Sequence, residues 1–343
     1  MKRILIYTIQ SMNYGNRLQN YAVQELLRDL GFETYTVYTR KFKNYYKYIF
    51  EVIKKKIKGL FLYNIYTNYD KFNSKIQYTS YKEYIESEHT FTGEYDYYIV
   101  GSDQVWNTNF DFITINSFLP NIHSNKISLS ASFGVDSIPY DKEIGECLNE
   151  FKAISVREEA GAKIIKNFIN RDATVLVDPT LLISRDRWKQ IARKPKGVVD
   201  NEFILTYFLS PKCKSAHNTL LKLKKDKKVY ELLNSDDSVA CNAGPMEFLW
   251  LFEHADLILT DSFHACVFSF IFNKPFLVYD RNWNEGNMNS RLETFLTKFN
   301  LQRKYVDSGL FNDIWEHDYT DGYNQLKIEK DKATAFLMDA LED

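Results

Sequence analysis

The chain has 343 residues, enough for two domains that each bury a full core, and its 45% hydrophobic and 26% charged residues are an ordinary globular balance. Lys and Arg total 44 against 45 Asp and Glu, a net charge of -1, which excludes a globally basic nucleic-acid binder. The four widely spaced cysteines form no Cys-x-x-Cys pair and no disulfide framework, and no apolar run is long enough to span a membrane, so a soluble protein of a reducing compartment, the cytoplasm, is expected.

Residues 4–7 are a short apolar run that ends in polar residues and Gly, which predicts a first strand and not a signal peptide. Leu18, Tyr21, Ala22, Leu26 and Leu27 follow at helical spacing, and Gly31 closes the run as a C-cap does. Residues 32–38 alternate as a second strand, completing a βαβ signature and implying a parallel sheet. Lys and Arg then crowd residues 40–75 against two acids, Glu51 and Asp70, with Tyr45, Tyr48, Ile49, Val52 and Ile53 at three- and four-residue spacing. This basic amphipathic insertion is either a solvated surface helix or, through residues 40–61, a peripheral contact with an anionic surface at the inner face of the membrane. No nucleic-acid motif accompanies its charge.

Further strands are expected at residues 97–100, 126–130, 153–156 and 174–177, each running into a polar loop. The polar stretch 184–201 marks a boundary, giving an N-terminal domain over 1–190 and a C-terminal domain over 200–343 with a helical tail. In the second domain, strands are expected at 203–209, 227–233, 257–260 and 276–279, and helices at 246–254 and 267–272.

Ligands of open α/β sheets sit beyond the carboxyl ends of the strands, so the loops there carry the candidate residues. Asn13, Gly15 and Asn16 stand where a strand turns into a helix, a place for a turn and cap or for amides that face an anion. Gly101-Ser102-Asp103-Gln104-Val105-Trp106-Asn107 follows another strand. Trp106 there suits either a sugar ring or a core, and Asp103 and Asn107 suit either hydroxyls or a cap. Arg157 at a strand end offers a rigid fork for carboxylate or phosphate, or an ion pair with Glu158 or Glu159. Asp178-Pro179-Thr180 fits a helix cap. Thr260-Asp261-Ser262-Phe263-His264-Ala265 is the sharpest pattern: His264 can transfer protons near neutral pH and Asp261 is placed to orient it. No HExxH, no Cys/His metal spacing and no GxSxG elbow is present, so no metal is expected.

Taken together, Asn13-Tyr14-Gly15-Asn16-Arg17-Leu18-Gln19, the segment from Gly101 to Asn107, Ser155-Val156-Arg157-Glu158, Val177-Asp178-Pro179-Thr180-Leu181-Leu182, and Thr260 to Ala265 with Asn273-Lys274-Pro275-Phe276 resemble the polysaccharide pyruvyl transferase family over residues 1 to about 280. The resemblance implies α/β architecture with two Rossmann-like domains facing across a cleft, glycosyltransferase-B-like. It also implies transfer of a pyruvyl group from phosphoenolpyruvate to a saccharide hydroxyl pair as a ketal, in cell-surface polysaccharide biosynthesis. Phosphoenolpyruvate is then a co-substrate and no other cofactor is needed. The acceptor would be a saccharide, lipid-linked or nucleotide-linked. On this reading His264 and Asp261 are catalytic, Arg157, Asn13, Gly15, Asn16 and Ser262 bind the donor, and Asp103, Trp106 and Asn107 bind the acceptor.

There is one departure. Ser262 stands where many members carry an Arg two residues before the His, so a cation is missing there, and either Arg17, Arg157, Lys274, Arg281 or Arg291 supplies it or the donor differs from phosphoenolpyruvate. The alternatives are a nucleotide-sugar-dependent glycosyltransferase or a non-catalytic glycan-binding relative.

Overall fold

Parallel strand pairing organises the chain into two sheets. The computed structural model describes residues 1–38, 62–80, 84–85, 90–91, 93–199, 202–224, 227–281, 290–306 and 313–342. These run β1 (Arg3–Tyr7), α1 (Tyr14–Asp29), β2 (Glu33–Thr36), α2 (Leu62–Asn73), β3 (Tyr84–Ile85), β4 (Thr90–Phe91), β5 (Tyr97–Asp103), β6 (Lys126–Ala131), α3 (Lys142–Asn149), β7 (Phe151–Val156), α4 (Glu159–Ile169), β8 (Thr174–Val175), α5 (Pro179–Leu182) and α6 (Arg185–Ile191). They continue with β9 (Phe203–Tyr207), α7 (Lys214–Leu223), β10 (Lys228–Leu232), α8 (Pro245–His254), β11 (Leu257–Thr260), α9 (Phe263–Ile271), β12 (Phe276–Val278), α10 (Ser290–Lys298) and α11 (Thr320–Leu341).

The first sheet has the order β2-β1-β5-β6-β7-β8 and the second β10-β9-β11-β12, both parallel throughout. The continuous apolar runs of β1, β9 and β11 suit such sheets, which helices cover on both faces. Because every strand in a sheet points the same way, each sheet presents all its strand-end loops on one edge. Among the described residues no helix is long and apolar enough to cross a membrane.

Two features depart from the expected organisation. The boundary stretch holds α6: Ser184 caps it by accepting from the Arg187 amide, and Trp188 is fully buried, its ring 5.7 Å from Tyr21 and 5.2 Å from Phe268. Trp188 is the one fully buried residue of this helix, with Ile191 half-buried at its end, and so thin an apolar face hid it among charges. The helical tail does not stay with the second domain. In α11, Leu337, Ala340 and Leu341 pack on Ile4, Ile6 and Ile99 of the first sheet, and Tyr97 Oη donates to the Leu341 carbonyl at 2.8 Å.

Residues 40–61, expected as a basic amphipathic face, lie outside the described residues. The next helix, α2, docks on the second domain, where Asn68 Nδ2 donates to the Asn242 carbonyl at 2.8 Å. Tyr14, the first residue of α1, joins the two sheets in the same region. It is buried among second-domain aromatics, 4.7 Å from Phe248 and 5.5 Å from Tyr207 by ring centroid, and its hydroxyl donates to the Ala243 carbonyl at 2.9 Å. A buried Tyr that finds a hydrogen-bond partner for its hydroxyl makes a specific contact as well as an apolar one. It also holds the start of α1 against the second domain.

Candidate active site between the two strand edges

Asp103 ends β5, Arg157 follows β7, Asp178 follows β8, and His264 lies in the first turn of α9 just after β11. The carboxyl edges of both sheets therefore contribute to one cluster. Arg157 Nη2 lies 2.8 Å from Asp178 Oδ2 and also donates to Ser102 Oγ, while its Nη1 lies 3.4 Å from Asp103 Oδ1. His264 Nε2 lies 3.4 Å from the same Asp178 Oδ2. Arg291 Nη1 from α10 lies 3.5 Å from Asp103 Oδ1. The rings and cations also layer: Arg157 Cζ stands 5.3 Å and Arg291 Cζ 5.6 Å from the Phe263 ring centroid.

These side chains are nearly or wholly buried, and their hydrogen bonding is incomplete. Asp178 Oδ1 accepts from the Thr180 amide at 2.9 Å and the Thr180 hydroxyl at 2.6 Å, but Oδ2 has only ion-pair contacts that miss hydrogen-bond geometry. His264 Nε2, Arg157 Nε, Arg291 Nε and Glu158 Oε2 likewise have no hydrogen-bond partner. Buried polar groups in native proteins are normally satisfied, so a concentration of such atoms at a strand-end crevice marks capacity held for a ligand.

Electrostatics set the charge state. Burial alone would raise the Asp103 and Asp178 carboxyls. For Asp103 the charges of Arg157, His264 and Arg291 outweigh burial and hold it below the ordinary carboxylate value. For Asp178, Arg157, His264 and Thr180 do the same and hold it well below. Glu158 goes the other way: burial raises it, although its Oε1 accepts from Ser132 Oγ, the Phe133 amide and the Gly134 amide at 2.9–3.1 Å. Burial and the neighbouring Arg157 lower Arg291 to about 10.

The backbone is shaped for this approach. Asp103 has φ 76, a left-handed conformation that a non-glycine residue holds at a cost and that recurs at functional sites. Gly15 admits the imidazole: a Cβ there would stand 2.1 Å from His264 Nδ1.

The expected site residues divide accordingly. His264, Arg157, Asp103, Gly15 and Asn16 come together, Asn16 Nδ2 donating to Asp103 Oδ2. Asp103 sits inside the charged cluster and not at a separate acceptor position. Asp261 does not orient His264. Its Oδ1 accepts from the Leu209 amide at 2.7 Å and its Oδ2 from the Ser210 amide and hydroxyl at 2.9 and 2.7 Å, which ties β11 to the loop after β9. The carboxylate beside His264 is Asp178, whose capping motif concealed a second role on its other oxygen.

The amides after Asn13 are not open to an anion, because Asn13 Oδ1 accepts from Gly15 N at 2.9 Å and Asn16 N at 3.4 Å. Trp106 is core, not a sugar platform: it is fully buried, stacked on Phe118 at 5.5 Å, with Nε1 donating to the Ser117 carbonyl at 3.0 Å. Asn107 is fully buried, its Oδ1 accepting from the Asn109 amide at 3.1 Å and its Nδ2 without a partner. Ser262 is the N-cap residue of α9 but makes no side-chain cap bond.

Of the cations named for the gap at Ser262, Arg17 is spent on Tyr78 Oη and the Ile9 carbonyl, and Arg281 Nε donates to the Asp261 carbonyl. Lys274 has Asp256, Arg185, Glu253 and Lys189 as its charged neighbours. Among the described residues, Arg291 is the one of these four with an ion pair into the cluster. Among the described residues no three His, Cys, Asp or Glu side chains gather as metal ligands would.

Solved structures share this fold. A UDP-GlcNAc 2-epimerase from Methanocaldococcus jannaschii, solved in complex with UDP-GlcNAc and UDP, superposes with a TM-score of 0.50 at 14% identity, covering 97% of this chain and 100% of that one. An alpha-glucosyltransferase in complex with UDP and a DNA 13-mer gives 0.49 at 10% identity, covering 98% of each chain. A putative UDP-N-acetylglucosamine 2-epimerase from Listeria monocytogenes gives 0.46 at 12%, covering 96% and 95%. At these identities the likeness is one of fold, the glycosyltransferase-B-like arrangement of two parallel-sheet domains. No curated protein matches the sequence. The family model described as polysaccharide pyruvyl transferase matches residues 13–282, which include every member of the cluster except Arg291, and the chain belongs to that family.

Proposed function

We propose that this saccharide-acting enzyme transfers the pyruvyl group of phosphoenolpyruvate to two hydroxyls of a saccharide, closing a cyclic ketal and releasing inorganic phosphate. The observation that carries the reading is the triad Arg157–Asp178–His264, a fixed guanidinium and an imidazole sharing one buried carboxylate oxygen at 2.8 and 3.4 Å. The family match supports it.

The reaction needs an anion holder and a proton carrier side by side. The first hydroxyl oxygen bonds to C2 of the donor as the methylene carbon takes a proton. Phosphate leaves C2 with the bonding electron pair, and the second hydroxyl oxygen bonds to C2. The two hydroxyl protons end on the new methyl group and on phosphate or solvent. Arg157, with its forked donors, is the group for the donor's carboxylate or phosphate. His264 is the proton carrier. Asp178 keeps the imidazole oriented as a proton passes, the part that sequence spacing suggests for Asp261.

A second reading is sugar transfer from a nucleotide sugar, favoured by the fold likeness to an enzyme solved with UDP-GlcNAc and UDP. A phosphate-release assay separates the two. Pyruvyl transfer predicts inorganic phosphate from phosphoenolpyruvate only when a nucleotide-linked or lipid-linked saccharide acceptor is added, with the saccharide gaining the mass of a pyruvyl ketal. Release of a free nucleoside diphosphate with no requirement for phosphoenolpyruvate would establish the second reading instead.

A further inference from the structure

Arg291 lies beyond the residues that the family model matches, on α10 of the second domain, yet its guanidinium enters the cluster and faces Asp103 at the end of β5. Three observations set it apart from a structural ion pair. Its one ion pair among the described residues, to Asp103 Oδ1, is 3.5 Å long, well beyond the roughly 2.7–2.9 Å of a charge-assisted hydrogen bond. Its Nε is buried without a partner. The oxygen it faces is already engaged by the Gln104 amide at 2.9 Å and by Arg157 at 3.4 Å. Two buried guanidiniums thus converge on one carboxylate oxygen and lie near one aromatic ring. Like charges so placed repel each other, and burial with poor pairing is unfavourable for Arg291. A ligand bringing two anionic groups relieves both defects.

We propose that Arg291 is a donor-binding residue that forms, with Arg157, a two-guanidinium cradle for the carboxylate and phosphate of one donor molecule. The cradle takes the place of the cation missing at Ser262, and it selects donors with two anionic groups over inorganic phosphate. The inference rests on the pyruvyl-transfer reading for the identity of the donor, and on the geometry alone for the role of Arg291. The depressed pKa of Arg291, about 10, agrees with an incompletely paired buried cation.

The test is calorimetric titration of the full chain with phosphoenolpyruvate, inorganic phosphate and UDP-GlcNAc, for the wild type, Arg291→Ala and Arg291→Lys. Thermal unfolding of each protein without ligand reports folding. The expected result is a loss of phosphoenolpyruvate affinity of about 10- to 100-fold in Arg291→Ala, the size of a lost hydrogen bond to a charged group. Phosphate affinity should change less. Arg291→Lys, which keeps the charge but not the fork, is expected to fold if Arg291→Ala does not and to fall between it and the wild type.

Wild-type affinity for phosphoenolpyruvate in folded Arg291→Ala, or in Arg291→Lys where only that variant folds, would overturn the role of Arg291 and leave the pyruvyl-transfer reading standing. A wild-type protein that binds UDP-GlcNAc but not phosphoenolpyruvate would overturn the pyruvyl-transfer reading. Loss of that UDP-GlcNAc binding in the variants would then keep Arg291 as an anion holder, and its retention would remove that role too.

Discussion

Two aspartates show how differently the two sheet edges are used. Asp178 and Asp261 both follow a strand of a parallel sheet, both are buried, and both stand at the entry to a helix, Asp178 as the N-cap of α5 and Asp261 one residue before the N-cap of α9. Asp261 in the second domain has both oxygens closed by Leu209 and Ser210, three donors within 2.9 Å. Asp178 in the first domain has one oxygen closed by Thr180 and the other turned to Arg157 and His264 without a hydrogen bond. On the proposed function, the difference separates a strut from a working group. A satisfied carboxylate stabilises its loop, and a half-satisfied one between a guanidinium and an imidazole keeps capacity for chemistry.

Substitutions test this contrast in order of expected effect. His264→Ala should lower turnover by roughly 10² to 10⁴, the share of a positioned acid or base, with the melting temperature little changed. Full activity in that variant would remove His264 from the mechanism. Asp178→Asn and Asp261→Asn then form a matched pair. Asp178→Asn should cost turnover on the order of 10²-fold through loss of the partner that orients His264. Asp261→Asn should instead lower stability by about 1–3 kcal/mol, because it disturbs a buried acceptor of three hydrogen bonds, and leave kcat per folded molecule unchanged. Denaturant titration beside steady-state kinetics reads both, and an inverted pattern would exchange the two roles.

Gly15→Ala places a methyl group where His264 Nδ1 now stands 2.1 Å away, so the imidazole must shift. A misplacement of about 1 Å can cost up to ~10²-fold in rate, and kcat should fall with donor affinity largely kept. The smallest effect is on pH. Asp103 and Asp178 are depressed in the folded state, so their stabilisation is complete above the ordinary carboxylate value of about 4 and is lost as pH falls below it. Glu158, raised by burial, binds its proton earlier when folded and works in the opposite sense. Acid unfolding followed by circular dichroism should therefore be less steep below about pH 4 in Asp178→Asn than in the wild type.

The fold was readable in the sequence to the extent that apolar runs were unbroken. Every strand expected from such a run, from residues 4–7 to 276–279, has a counterpart, and Gly31 ends α1 as expected. Helices with thin apolar faces were not legible. The clearest case is α6, where Trp188 is the one fully buried residue. The destination of α11 also could not be read, because its apolar face would serve either sheet.

For the site, His264 and Arg157, singled out by residue type, do come together at Asp178, but neighbours in sequence were poor guides to neighbours in space. Asp261 is three residues from His264 and turns away, whereas Asp178 is eighty-six residues distant and lies against it. The polar motif around Trp106 left a sugar platform and a core residue equally open, and the structure puts the ring in the core. Arg291 carries no motif at all, and only tertiary structure brings it to Asp103.

The proposed function has the cluster between the two sheet edges hold phosphoenolpyruvate, and ligand-induced thermal stabilisation tests this most directly. Phosphoenolpyruvate should raise the melting temperature of the wild type more than the same concentration of inorganic phosphate does, and Arg157→Ala should abolish the excess. Equal shifts for the two ligands, or an excess that survives in Arg157→Ala, would contradict the claim.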